Sequence, residues 1–149
     1  MEWVKKMKQT DKEIIRLMRT GKKLNISEIA RQLNLPISTV NDKIKRIEEK
    51  YMIKRSSLLD YLSLGYFANA KLVIRINSEF KQTFLDFLKS QKCVNSIYHI
   101  NSGFDILVDV VCKDAIVLKN FVEVLRRDFS ADVSVFQILK VEEKEVFLP

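Results

Sequence analysis

The side chains best suited to recognition chemistry cluster between residues 38 and 46. They supply hydroxyl, amide and cationic groups, which can hydrogen-bond to the edges of bases and neutralise phosphates. Among them Val40, Ile44 and Ile47 recur at the i, i+4, i+7 spacing of one face of an α-helix. Burial of that apolar face would turn the polar groups outward, so the segment predicts contact with double-stranded DNA. The outward residues in this segment are Ser38, Thr39, Asn41, Asp42, Lys43, Lys45 and Arg46.

A shorter amphipathic helix, predicted to begin with Ser27 as its N-cap, precedes this segment. Between the two helices, Asn34 tolerates a left-handed turn and Pro36 suits the opening of the next helix. Two short helices joined in this way form the helix-turn-helix pattern, whose second helix enters the major groove. The alternative is an ordinary helical hairpin inside a core. Under the first interpretation we assign base contacts to Ser38, Thr39, Asn41, Lys43 and Arg46, and phosphate contacts to Lys45, Lys54 and Arg55.

The excess positive charge of the chain lies entirely in its N-terminal part. Residues 1–58 carry 15 lysines and arginines against 7 acidic residues, whereas residues 59–149 carry 11 against 12. A basic surface beside a helix-turn-helix binds DNA by displacing counterions condensed on the phosphates. A generic solvated surface would not explain why the basic excess ends where the second part of the chain begins.

The second part of the sequence predicts an α+β domain with the order β-α-β-β-α-β. This order is typical of the ferredoxin-like fold, an antiparallel sheet with both helices on one face. We predict a winged-type helix-turn-helix domain at residues 1–55, a linker at 56–68 and a regulatory and oligomerisation domain at 69–149. Nothing in the sequence covers the other face of the sheet, so we expect its apolar side chains to pack against another copy. The expected elements are a first helix opened by a capping box at Thr10, strands at 70–76, 94–100, 104–111 and 133–141, and helices from Ser78 and Asp114.

Residues for catalysis or metal binding are scarce in this sequence. His99 is the only histidine, and a lone histidine in a predicted strand is more often a packing residue than a base. Cys93 and Cys112 lack the C-x-x-C spacing of a redox pair or zinc site, so we expect free thiols. There is no signal-peptide pattern and no apolar run of transmembrane length. We expect a cytoplasmic protein that is not an enzyme and has no cofactor, bound metal or membrane association.

Two other classes of binding protein stay open. One is a winged-helix module that binds protein or RNA within an assembly and has no operator specificity. Its aromatic residues for stacking on bases would have to lie beside the basic face, but here they lie mostly in the C-terminal half. The other is a metabolite-sensing module whose helix-turn-helix only aids assembly, and the basic N-terminal part argues against it.

Five short motifs follow one another along nearly the whole chain. They are Asp11-Lys12-Glu13-Ile14-Ile15, Ser27-Glu28-Ile29-Ala30, Ser38-Thr39-Val40, Leu64-Gly65 and Gly103-Phe104-Asp105. In this order they resemble the Lrp/AsnC family of bacterial and archaeal transcriptional regulators. Three positions of the helix-turn-helix depart from the family pattern, because Asn34, Pro36 and Tyr51 stand where glycine, serine and glycine are usual.

The resemblance implies homodimers, octamers as a further assembly, and a small-molecule effector that is typically an amino acid. In the family the effector binds between regulatory domains, near the turn of the central hairpin. The positions that correspond to this site are Asn101, Ser102, Gly103 and Asp105. A turn alone would also explain the glycine, which supplies positive φ, and the aspartate, which accepts hydrogen bonds from loop amides. Val135 stands where a threonine is frequent in the last strand, which weakens the case for a polar amino-acid pocket.

Overall fold

A computed structural model describes residues 7–19, 25–52 and 58–147. The chain divides into two compact units, one of Met1–Ser57 with Glu143–Pro149 and one of Leu58–Glu142. Relative to the predicted domains, the final residues group with the first unit and the described part of the predicted linker groups with the second. The expected phosphate contacts Lys54 and Arg55 lie outside the described residues.

The described part of the first unit contains three helices. They are α1 (Gln9–Arg19), α2 (Ile26–Leu33) and α3 (Ile37–Tyr51). Each is amphipathic, and their buried apolar faces meet in one small core because no single short helix can bury its own face. The core residues are Ile14, Ile15, Ile29, Ala30, Val40, Ile44 and Ile47.

The starts of the first two helices differ from the prediction. Asn25, rather than Ser27, is the N-cap of α2: its side chain accepts a hydrogen bond from the amide of Glu28, whose carboxylate accepts one from the Asn25 amide. This reciprocal pair is a capping box. The helix α1 already begins at Gln9, so the predicted cap Thr10 lies within the helix. Both predictions were wrong by one turn or less.

The second unit has the predicted order of strands and helices. It consists of β1 (Ala68–Arg75), a 3₁₀ turn (Ser78–Phe80), α4 (Lys81–Ser90), β2 (Val94–His99), β3 (Ile106–Cys112), α5 (Ala115–Phe129) and β4 (Asp132–Gln137). The strands form one sheet in the order β2-β3-β1-β4, and every neighbouring pair is antiparallel. The predicted ferredoxin-like arrangement is therefore confirmed. As predicted, Asp114 caps α5, accepting a hydrogen bond of 2.9 Å from the amide of Val117.

Both helices of the second unit pack on the same face of the sheet. Alternate residues of β1 and β3 point toward them, and residues such as Leu72 and Val108 are completely buried. Phe84 of α4 is also fully buried and meets Phe129 of α5 edge-to-face, with ring centroids 5.1 Å apart. These contacts form the core of the second unit.

The other face of the sheet has no described helix over it. Across its centre, Tyr98 of β2 pairs with Leu107 of β3, which in turn pairs with Val73 of β1. One step along, Lys71 of β1 forms an ion pair of 2.6 Å with Asp109 of β3. We refer to this surface as the open face.

No helix within the described ranges is both long and apolar enough to cross a membrane.

Candidate nucleic-acid interface and hairpin loop

The orientation of α3 follows from its apolar face, which we call the seam. Val40, Ile44 and Ile47 are buried against α1 and α2, as predicted. The seam turns the opposite side of the helix to solvent, where Ser38, Lys45 and Arg46 are exposed. Asp42 and Glu49 share that side, and Thr39 and Asn41 lie half-buried at its flanks. The outward surface thus offers hydroxyl and cationic groups between acidic ones, and an amide at its edge.

The turn between α2 and α3 has the conformation predicted from its residues. Asn34 is left-handed, with φ of 52° and ψ of 45°, and the amide of Leu35 donates to the carbonyl of Ala30 at 3.0 Å. Pro36 occupies the N-cap position of α3 without a side-chain hydrogen bond to the first turn. The amides of that first turn are therefore available to an acceptor outside the helix.

Lys43 does not join the outward groups. Its ammonium lies 2.7 Å from the carboxylate of Asp11 on α1, and only 14% of its side chain is exposed. Its position on the flank of α3 brings it over α1, where the pair is shielded from water better than a surface ion pair is. This ion pair helps to hold α3 against α1, and the base contact expected of Lys43 from the sequence stays a prediction.

The loop between β2 and β3 brings the predicted effector residues together. Asn101, Ser102 and Gly103 are exposed, and Ser102 and Gly103 have positive φ values of 68° and 89°. The Ser102 hydroxyl lies 3.3 Å from the Asn101 side-chain oxygen. Within the loop, the amide of Ile100 donates to the carbonyl of Asp105 at 3.0 Å, which closes it.

The carboxylate of Asp105 is occupied by contacts within the chain. It accepts a hydrogen bond of 3.0 Å from the amide of Ile76, and Lys81 lies 3.5 Å away. The bond from the Ile76 amide lowers the pKa of Asp105, with smaller contributions from the charges of Lys81 and Arg75 and a partial offset from burial. At neutral pH this ionised side chain ties the loop to the end of β1.

Arg75, the last residue of β1, contacts this loop and was not among the site residues predicted from the sequence. Its Nε donates to the carbonyl of Gly103 at 2.6 Å, and its guanidinium lies over the ring of Phe104, 5.3 Å from the centroid. A Cβ at Gly103 would come within 3.6 Å of the Arg75 guanidinium. The signal in the sequence was the strand alternation, which places Arg75 at the exposed end of β1.

The described residues offer no candidate metal centre. They contain no group of three or more histidine, cysteine, aspartate or glutamate side chains arranged to hold a metal ion. His99 is exposed at the end of β2.

Known proteins similar to this chain are transcriptional regulators. Residues 7–54 match the winged helix-turn-helix DNA-binding family. An uncharacterised HTH-type transcriptional regulator of Pyrococcus abyssi is 26% identical over 139 residues, which cover 92% of this chain and 95% of the relative.

Solved structures with the same fold include members of the predicted family. An AsnC family transcriptional regulator from Agrobacterium tumefaciens matches with a TM-score of 0.82 at 22% identity, covering 96% of this chain and 97% of that one. A transcriptional regulator from Neisseria meningitidis, in complex with L-Met, matches with a TM-score of 0.85 at 18% identity, covering 96% of both chains. The fold that the predicted resemblance to the Lrp/AsnC family implies is confirmed.

Proposed function

We propose that this chain is a DNA-binding transcriptional regulator of the Lrp/AsnC type that reads its operator with the outward face of α3. The burial of Val40, Ile44 and Ile47 carries this proposal, because it leaves one side of the helix free to enter the major groove. Lys43 is left out of the contact set, since Asp11 holds its ammonium. The proposed base contacts are Ser38, Thr39, Asn41 and Arg46, and the proposed phosphate contacts are Lys45, Lys54 and Arg55.

The two kinds of contact have different consequences. The amide of Asn41 and the guanidinium of Arg46 can each make paired hydrogen bonds to a base edge, so they discriminate between sequences. Lys45 places a mobile positive charge near the phosphates and strengthens binding to every sequence. The uncapped amides at the start of α3 offer a further place for a phosphate oxygen.

The open face of the sheet is proposed as a dimer interface. Its centre is apolar across three strands, and the side-chain oxygen of Asn69 on β1 is buried without a hydrogen-bond partner. A second copy would cover the apolar row and could donate to that oxygen. A symmetric dimer would place two recognition helices about 34–36 Å apart on a pseudo-palindromic site. Octamers are proposed as a further assembly of such dimers.

An amino-acid effector is proposed at the hairpin loop, at Asn101, Ser102, Gly103 and Asp105. A protein with the same fold was solved with L-Met, which makes an amino acid the first ligand class to test. On this chain the Asp105 carboxylate already accepts a hydrogen bond from the Ile76 amide and forms an ion pair with Lys81. The side chain of Val135 has no polar group to offer a ligand. We therefore expect weak affinity or narrow selectivity. Any effector would act through its different affinities for two states of the protein.

Calorimetric titration of the native protein with each of the twenty amino acids tests this site. If one binds, we expect Gly103→Val to weaken it by roughly tenfold or more, because a β-branched residue at this positive φ costs about 1–3 kcal/mol of strain. Gly65→Val is the matched control: Gly65 also has a positive φ, of 82°, and lies outside the loop. Binding unchanged by Gly103→Val would move the pocket elsewhere. No binding by the native protein would indicate a regulator without an amino-acid effector.

Selection of bound duplexes from a random DNA pool, with and without pooled amino acids, is the direct test of the proposed function. We expect an enriched pseudo-palindromic sequence. Enrichment of no sequence would favour a protein- or RNA-binding assembly module instead. An effector would alter the enriched pool when amino acids are present.

The remaining aspects of the proposal follow from DNA binding. A regulator of this kind works where the chromosome is, so we propose a cytoplasmic location. We also propose that it has no catalytic activity and needs no cofactor, since recognition by α3 requires neither.

A further inference from the structure

Cys93 and Cys112 are well separated in sequence but adjacent in the second unit. Cys93 precedes β2, and its carbonyl accepts a hydrogen bond of 2.8 Å from the amide of Val111, the residue before Cys112 in β3. Both side chains belong to the same apolar core, and both are free thiols. The two thiols are close enough that each affects the pKa of the other. A residue next to one end of such a cross-strand hydrogen bond can lie within the Cα–Cα separation of roughly 4.4–6.8 Å that a disulfide spans.

The two thiols differ in their access to solvent. Cys112 is 1% exposed, whereas Cys93 is half-buried and lines an open cavity of about 270 Å³. Tyr61 and Tyr66, from the segment before β1, and Val94 line the same cavity. A small oxidant entering the cavity would therefore meet Cys93 first.

We propose that Cys93 and Cys112 are a redox site that forms an intrachain disulfide with a hydroperoxide, Cys93 attacking and Cys112 resolving. In the first step the Cys93 sulfur bonds to one peroxide oxygen and the O–O bond breaks. For hydrogen peroxide, the departing hydroxide takes the Cys93 proton and leaves as water. In the second step the Cys112 sulfur attacks the sulfenic sulfur, the S–O bond breaks and a second water carries away the Cys112 proton. The peroxide is reduced and the two thiols are oxidised.

The surroundings of the pair set the rate of this reaction. Burial raises the pKa of Cys93, and burial together with the neighbouring Cys93 raises the pKa of Cys112 to about 11. Only the thiolate attacks, so oxidation at neutral pH should be slow and should quicken by about tenfold per pH unit between pH 7 and pH 9. Such a pair would respond to sustained oxidation rather than to brief exposure.

The disulfide would lie beside the segment that leads into β1. The amide of Phe67 donates to the carbonyl of Lys113, directly after Cys112, at 3.0 Å. Oxidation would therefore fasten the start of β2 to the end of β3 at the point where this segment joins the sheet. This site is separate from the outward face of α3 and from the hairpin loop.

The test is oxidation of the full-length protein with hydrogen peroxide, followed by intact mass and peptide mapping under denaturing, non-reducing conditions. We expect the loss of two hydrogens from the monomer, a peptide that joins Cys93 to Cys112, and full reversal by dithiothreitol. In Cys112→Ala we expect a sulfenic acid at Cys93 that dimedone traps, and in Cys93→Ala we expect Cys112 to stay reduced.

Three results would overturn the proposal. They are retention of both thiols in the wild type, oxidation of Cys93 to sulfinic acid without a cross-link, and cross-links only between chains. The wild-type measurement requires no variant to fold, so poor folding of Cys112→Ala would not obscure the outcome.

Discussion

Replacement of Asn41 and Arg46 together with alanine is expected to remove most of the sequence preference of DNA binding. Each side chain, if paired to a base edge, contributes about 1–3 kcal/mol of discrimination. The double variant should therefore bind its operator at least roughly tenfold more weakly, while its affinity for random duplex falls much less. Neither residue belongs to the core of the first unit, so the fold should persist.

Fluorescence anisotropy with the selected operator and with a random duplex, each over a range of salt concentrations, measures this effect. The double variant Asn120→Ala/Arg127→Ala is a matched control, because it removes the same two residue types from exposed positions of α5. Thermal unfolding by circular dichroism checks that both variants fold. If the Asn41/Arg46 variant binds the operator as tightly as the native protein, α3 does not read bases through these residues.

The fold could be predicted because its main signals are local and repeat along the chain. The seam of Val40, Ile44 and Ile47 and the alternation in β1 follow from helical and strand periodicity alone. The cap of α2 was also present in the sequence, since Asn25 and Glu28 have capping-box spacing. Ser27 was predicted as the cap because serine is also a favourable N-cap residue. Asn25 and Ser27 are so close in sequence that only the structure decides between them.

The end of the last strand could not be predicted from its own residues. The sequence favours a strand to residue 141, whereas β4 ends at Gln137. Gln137 pairs with Ala70, close to the start of β1. A strand can continue only as far as its partner does, and the length of the partner is not encoded in the alternation of the strand itself.

The contacts that refine the candidate sites depend on tertiary packing. Lys43 could be placed on α3, but its pairing with Asp11 exists only because α1 crosses that flank. Arg75 reaches the hairpin loop from the end of β1, and a hydrogen bond from the Val111 amide holds Cys93 beside the residue that precedes Cys112. Residue type and spacing identified the elements of each site, but not which side chains those elements bring into contact.

Leu107→Lys is expected to convert the proposed dimer to a monomer. Leu107 lies in the centre of the open face, between Tyr98 and Val73. In a symmetric dimer the substitution occurs twice, and each lysine would be buried without a counter-charge. Light scattering during gel filtration should show a dimer for the native protein and a monomer for the variant at micromolar concentration.

Ile116→Lys is the matched control for this substitution. Ile116 is a large apolar residue on α5, 70% exposed and away from the open face. The control should remain a dimer, which separates loss of the interface from a general effect of added charge. A native protein that is a stable monomer, or a Leu107→Lys variant that stays dimeric, would rule out the open face as the interface.

Loss of the dimer should also weaken operator binding by about 100-fold or more, although α3 itself is unchanged. Once one recognition helix of a dimer is bound, the second binds its half-site at a high effective concentration, and this advantage disappears in a monomer. Leu107→Lys should therefore reduce affinity for the full operator far more than affinity for a single half-site. Replacing Asn41 and Arg46 should instead weaken binding to the half-site as well as to the full operator, because each recognition helix loses the same base contacts. The ratio of the two affinities thus distinguishes a damaged reading surface from a damaged assembly.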